Sequence, residues 1–95
     1  MQLEIITPEA KIFSGEVEAV QLPGLDGLFQ VLDGHTAVIS TLQKGRVKVD
    51  LTSPFNTEDK YSKLIHLDSN TKVIHVDING GVIELQNNKM IVLAE

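Results

Sequence analysis

Val82-Ile83-Glu84-Leu85-Gln86-Asn87-Asn88-Lys89-Met90-Ile91-Val92-Leu93 is the stretch that decides the fold class. Two apolar-rich runs flank Asn87-Asn88, and asparagine tolerates the φ > 0 that both central residues of a type I′ hairpin turn require. With that pair as a two-residue turn, Gln86 faces Lys89, Leu85 faces Met90 and Ile83 faces Val92, so one face of the hairpin is continuously apolar. The other face pairs Glu84 with Ile91 and Val82 with Leu93. It is too apolar for a sheet surface left to water, so a second layer or a partner protein covers it.

The same pattern continues toward the N-terminus. Val and Ile supply 19 of the 95 residues, and β-branched side chains favour a pleated, half-buried surface. Turn signals recur at short intervals: Thr7-Pro8-Glu9, Ser14-Gly15, Leu22-Pro23-Gly24, Asp33-Gly34, Lys44-Gly45, Asp68-Ser69-Asn70 and Asn79-Gly80-Gly81. They bound strands near 2–6, 10–13, 16–22, 27–31, 36–42, 45–51, 61–67, 72–78, 81–86 and 89–93. No long window carries a 3.6-residue period, so no long helix is expected. The reading is a single all-β domain over 1–95, a sandwich or barrel. The polar stretch from Asp50 to Lys60 is expected as a mobile loop between two strands.

Charge and composition exclude several classes. Thirteen acidic residues against eight basic ones give a net charge of −5. Lys11, Lys44, Arg46, Lys48, Lys60, Lys63, Lys72 and Lys89 are scattered, without the basic stripe a nucleic-acid binder needs. No apolar run approaches the ~20 residues of a membrane-spanning helix. The N-terminus lacks the basic and apolar regions of a secretory signal. The absence of Cys removes disulfides and thiolate metal sites and fits a reducing cytosol.

Catalytic chemistry has no foothold. Ser, His and Asp occur, but no Gly-x-Ser-x-Gly elbow presents a nucleophile. Gly24-Leu25-Asp26-Gly27 lacks the following Lys of a phosphate loop. Glu16 and Glu18 point the same way on a strand, and a charged edge that resists aggregation accounts for them. If Asp68 pairs with Thr71, His66 faces Val73 and Leu64 faces His75. Both histidines then share a face with Asp68 and Asp77, an imaginable zinc set, but the favoured reading is a solvated surface with no metal.

From Val20 to Gly45 the chain carries Leu22-Pro23-Gly24, Gly27, Phe29, Val31-Leu32 and Gly34-His35, with Leu42 and Gly45 behind them. Upstream stand Thr7-Pro8-Glu9 and Ile12-Phe13-Ser14-Gly15-Glu16-Val17; downstream stand Gly80-Gly81-Val82-Ile83-Glu84-Leu85 and Asn88-Lys89-Met90-Ile91-Val92-Leu93-Ala94-Glu95. In these three blocks the sequence resembles the epsilon subunit of bacterial F-type ATP synthases. The resemblance implies a ten-stranded β-sandwich of two five-stranded sheets. It also implies a non-catalytic subunit of the rotating central stalk, without cofactor, that helps couple ion flow to ATP synthesis. Its partners would be the gamma subunit and the c-ring, at the cytoplasmic face of the inner (plasma) membrane, with the membrane reached only through the complex.

Carried over residue by residue, Gly24, Asp26, Gly27, Leu28, Asp33, Gly34 and His35 correspond to the family's ring- and rotor-facing end. Val38, Ser40, Val82, Ile91 and Leu93 are the candidates for gamma contact. Family members commonly continue beyond the position of Glu95 with a helical hairpin that restrains ATP hydrolysis, and the expectation is a subunit without that domain. The competing reading is a stand-alone β-sandwich binding a small ligand, which would need a pocket built from Phe13, Phe29, Phe55 and Tyr61.

Overall fold

The computed structural model describes residues 1–95, and its regular elements are all strands, nine in number. They are β1 (Gln2–Ile6), β2 (Lys11–Gly24), β3 (Gly27–Leu32), β4 (Val38–Leu42), β5 (Gly45–Leu51), β6 (Ile65–Leu67), β7 (Val73–Ile78), β8 (Gly81–Gln86) and β9 (Lys89–Ala94). No helix is long and apolar enough to cross a membrane.

Where the sequence suggested two strands at 10–13 and 16–22, one strand of 14 residues runs through. Gly15 does not interrupt it. The Phe13 ring lies across that glycine, 3.0 Å from where a Cβ would stand, so the missing side chain makes a seat for an aromatic ring. The first half of β2 pairs with β1, and β9, β8 and β4 follow in order. Its second half lies between β3 and β5, with β7 and β6 beyond. Counted in both layers, β2 gives each sheet five strands, the expected sandwich reached with nine strands instead of ten.

A bulge in the β2–β5 pairing between Val17 and Ala19 makes the sharing possible. Upstream of it the odd-numbered Phe13 and Val17 are buried; downstream the even-numbered Val20 and Leu22 are. An extra residue reverses the alternation of a strand, so β2 keeps feeding the core as it passes from one layer to the other. At its far end Gly24 meets Leu42 of β4, which ties the two sheets at that corner.

The last hairpin has the register read from its sequence, Leu85 opposite Met90 and Ile83 opposite Val92. Asn87 and Asn88 have φ of 53° and 59°. β1 then joins β9 in parallel, with Leu3 opposite Met90 and Ile5 opposite Val92. These four side chains are completely buried, and burial of each contributes roughly 1.5–3 kcal/mol. No charged or polar side chain is buried with them.

The segment between β5 and β6 is not free. Phe55 packs on the core, its N–H donates to the Thr71 carbonyl at 2.8 Å, and its ring meets Tyr61 edge-on at 5.2 Å. Thr52 N–H donates to the Glu16 carbonyl at 3.4 Å, so the loop covers the flank of β2 that β1 leaves open.

Gly81 has φ +153°, and a Cβ there would collide with the Leu93 carbonyl oxygen. Gly81→Ala is expected to destabilise the domain by at least about 2 kcal/mol, read as a lowered midpoint in chemical denaturation. A midpoint equal to wild type would show that β8 and β9 are not so close.

Candidate interaction surface

Alternation within strands sorts the candidate residues before any chemistry does. On β8 and β9, Val82 lies opposite Leu93 and Glu84 opposite Ile91 on the outward face. Val82 and Leu93 are exposed and Ile91 is half-buried. Across β8, Thr41 of β4 faces Val82 and Ile39 faces Glu84; across β9, Ile6 of β1 faces Leu93. The outer face of this sheet therefore sets Ile6, Ile39, Val82, Ile91 and Leu93 around Glu84 and Glu4, the latter ion-paired with Lys11 and Lys89. The sequence reading put Val38 and Ser40 in it, one residue out of phase. Both are half-buried on the inner side of β4, opposite the buried Leu85 and Ile83. Ile39, 75% exposed, is the outward residue that was missed.

The two turns assigned together to the ring- and rotor-facing end are not neighbours. The Leu25-Asp26 turn closes the β2–β3 hairpin at Gly24 and Gly27, whereas Asp33-Gly34-His35 follows the other end of β3. The six residues of β3 separate them, about 20 Å at ~3.3 Å per residue, in a domain measuring 34 × 27 × 21 Å. Asp26 and Leu28 are exposed at the tip, and Asp26 enters no ion pair.

The other end is stitched to the fold by contacts no local pattern announces. The Met1 α-ammonium donates to Asp33 Oδ1 at 2.7 Å and approaches Glu16 Oε2 at 3.4 Å. Asn88 Nδ2 donates to Asp33 Oδ1 at 2.8 Å, and Gly34 N–H donates to Asn88 Oδ1 at 2.9 Å. Asp33 thus serves the fold with one carboxylate oxygen. Gly34 has φ +85°, the left-handed region that a β-branched residue avoids. His35 is exposed, with Nδ1 2.7 Å from the Thr36 carbonyl oxygen.

The histidine pair lies on the opposite sheet, in a register different from the one expected. His66 is directly opposite His75, and Leu67 faces Ile74. The connection is longer than a two-residue turn because Asp68 accepts from Asn70 N–H and Asn70 from Lys72 N–H, two successive Asx turns. His75 Nε2 then lies 2.8 Å from Asp68 and His66 Nε2 3.4 Å from Asp77, so the rings reach along opposite diagonals. Arg46 holds Asp77 with two hydrogen bonds of 2.7 and 3.1 Å. No group of three or more His, Asp or Glu is arranged to hold a metal ion.

Phe13, Phe55 and Tyr61 line one open depression of about 580 Å³ together with Lys11, Asp59 and Lys60, whereas Phe29 lies apart, in the groove beside Leu28 and Ile39. Phe29 and Phe55 pack against the core and Phe13 is buried in it, while Tyr61 is spent against Phe55. The largest depression, about 630 Å³, is an open groove between Pro8, Thr41, Val82 and Leu93 and contains no aromatic residue.

The domain is an all-β sandwich with apolar side chains on one outer face and a turn at each end of β3. Residues 1–62 match the family described as the β-sandwich domain of the ATP synthase delta/epsilon chain, and the chain belongs to that family. The ATP synthase epsilon chain of Chlorobium limicola is 43% identical over 60 residues, 63% of this chain and 66% of that one. That of Chlorobaculum tepidum is 44% identical over 59 residues, 62% and 65% of the two chains; the alignments thus span just under two thirds of these relatives. In fold, 99% of the chain superimposes with a TM-score of 0.68 and 14% identity on 62% of a chain from the central stalk and c-ring structure of the Tetrahymena thermophila mitochondrial ATP synthase.

Protonation bounds the loop network on both sides. The hydrogen bond from the Met1 ammonium, then that from Asn88, lowers the Asp33 pKa below 3.8. The hydrogen bond to Asp33 raises the Met1 ammonium above 8.0. A depressed carboxylate stabilises above its unfolded value and loses this as pH falls through its folded one. A raised ammonium stabilises below its unfolded value and loses this as pH rises past it. The melting temperature is therefore expected to fall below about pH 4 and above about pH 8, with both falls smaller in Asp33→Asn. A profile of unchanged shape in that variant would remove Asp33 from the network.

The turn itself gives a second test. Gly34→Val is expected to cost about 1–2 kcal/mol, whereas His35→Ala leaves the thermal melt unchanged. Unfolding of His35→Ala would mean that the exposed position of His35 is wrong.

Proposed function

We propose that this domain works as a non-catalytic subunit of the rotating central stalk of an F-type ATP synthase, helping to couple ion flow through the c-ring to ATP synthesis in the catalytic head. The observation that carries the reading is the family match across residues 1–62, which contains both loop ends and the exposed Ile39. The C. limicola and C. tepidum relatives are ATP synthase epsilon chains, and the T. thermophila neighbour comes from a central stalk and c-ring assembly.

In this reading Gly24, Asp26, Gly27 and Leu28 meet the polar loops of the c-ring. Asp33, Gly34 and His35, at the other end of β3, border the gamma subunit where β4 begins. Ile39, Val82, Ile91 and Leu93 form the apolar gamma-facing patch, with Val38 and Ser40 beneath it. The domain sits at the cytoplasmic face of the membrane and reaches the bilayer only through the complex.

The test is capture of the tagged chain from detergent-solubilised membranes of its source, with partners identified by mass spectrometry. Recovery of gamma and c subunits is the expected result; recovery of the chain alone, from an intact synthase, would overturn it. Asp26→Lys is expected to reduce c-subunit recovery roughly tenfold through charge reversal at the tip, with gamma retained and the melt unchanged. Full c-subunit recovery in that variant would take Asp26 out of the ring contact.

A further inference from the structure

Four strands form the sheet edges, and two are protected. The loop after β5 covers the free flank of β2 through the Thr52–Glu16 hydrogen bond, and β6 is only three residues long. Short or covered edges do not recruit further strands. The remaining edges, β3 and β4, border one groove of about 460 Å³ lined by Leu25, Leu28, Phe29, Ile39, Ser40 and Thr41.

β4 is open along most of one side. One edge pairs with β8 along its whole length, and the other meets β2 only at Leu42. No turn or loop hydrogen bond reaches the backbone of Val38–Thr41. It carries no Lys, no Pro and no bulge, the devices that blunt an edge. Its surroundings are apolar and acidic. Ile39 is 75% and Leu28 65% exposed, while β3, β4 and β8 contain no Lys or Arg. Glu84 and Asp26 are exposed without an ion-pair partner.

The geometry points to strand addition at β4: an extended segment of the partner stalk subunit pairs with the free backbone edge of Val38–Thr41. Its apolar side chains fill the groove beside Phe29 and Ile39, and a basic residue faces Glu84. Backbone pairing supplies affinity in such complexes, and alternate side chains supply specificity. This inference rests on the stalk reading above and identifies how the contact is made. A strand added here continues the sheet whose outer face carries Val82, Ile91 and Leu93.

Amide hydrogen exchange of the full chain, free and bound to the gamma subunit of its own synthase, tests it. Exchange at Val38–Thr41 is expected to slow at least roughly tenfold in the complex. Ile39→Lys, with its basic side chain beside the incoming basic residue, is expected to weaken the complex roughly tenfold; Leu67→Lys, on the far edge of the other sheet, leaves it unchanged. A complex that forms with exchange at Val38–Thr41 unaltered overturns strand addition and leaves the stalk reading standing. Weakening by Ile39→Lys without backbone protection likewise overturns it, since side-chain contact alone then suffices. Failure to form any complex overturns both.

Discussion

One strand has to satisfy two sheets. The core exists because β2 turns Phe13 and Val17 inward in one layer and Val20 and Leu22 inward in the other. A strictly alternating strand of 14 residues cannot do this. The irregularity between Val17 and Ala19 costs a ladder position and gains a corner, a common way for a strand to change sheets. Everything else is arranged around that strand. β1 and β3 come together at the Met1–Asp33 contact, β5 brings the other layer, and Gly24 anchors β4.

The placement of the proposed contact surface follows from the same constraint. β2 is covered on both flanks for most of its length, so the unsatisfied edges fall to β3 and β4 on one side of the domain. There the apolar groups not used in the core accumulate, Leu28 and Ile39 among the most exposed. The outer face of the other sheet is different in kind, with Arg46, Asp77, Asp68 and both strand histidines locked in mutual pairs. The Arg46–Asp77 ion pair is exposed, and exposed pairs contribute little to stability.

Much of this was legible in the sequence, and the failures have definite causes. Asn87-Asn88 fixed a two-residue turn, and with it the register of β8 and β9, because the turn chemistry and the alternation agree. At Asp68–Lys72 the side chains of Asp68 and Asn70 lengthen the connection through their own backbone hydrogen bonds, and the histidine pairing moved accordingly. Ser14-Gly15 has the composition of a break, but the Phe13 ring uses the glycine as floor. On β4 the phase was lost by one residue, since Val38, Ile39 and Ser40 give no clear alternation of polarity. The family motifs picked out segments without their distances: Asp26 and His35 are close in sequence and separated by the length of β3. The Asn88–Asp33 contact joins residues 55 positions apart and has no local signature.

The parallel pairing of β1 with β9 also sets a schedule. β1 lies between β2, made directly after it, and β9, the last strand of the domain. Until residues near 94 have left the ribosome, Leu3 and Ile5 can be held on one side only, and the layer containing them cannot close. Contacts between the two ends of a chain are slow to form. During synthesis the early strands therefore wait with an open, apolar edge, and the cell must keep that half-built sheet from pairing with a neighbour.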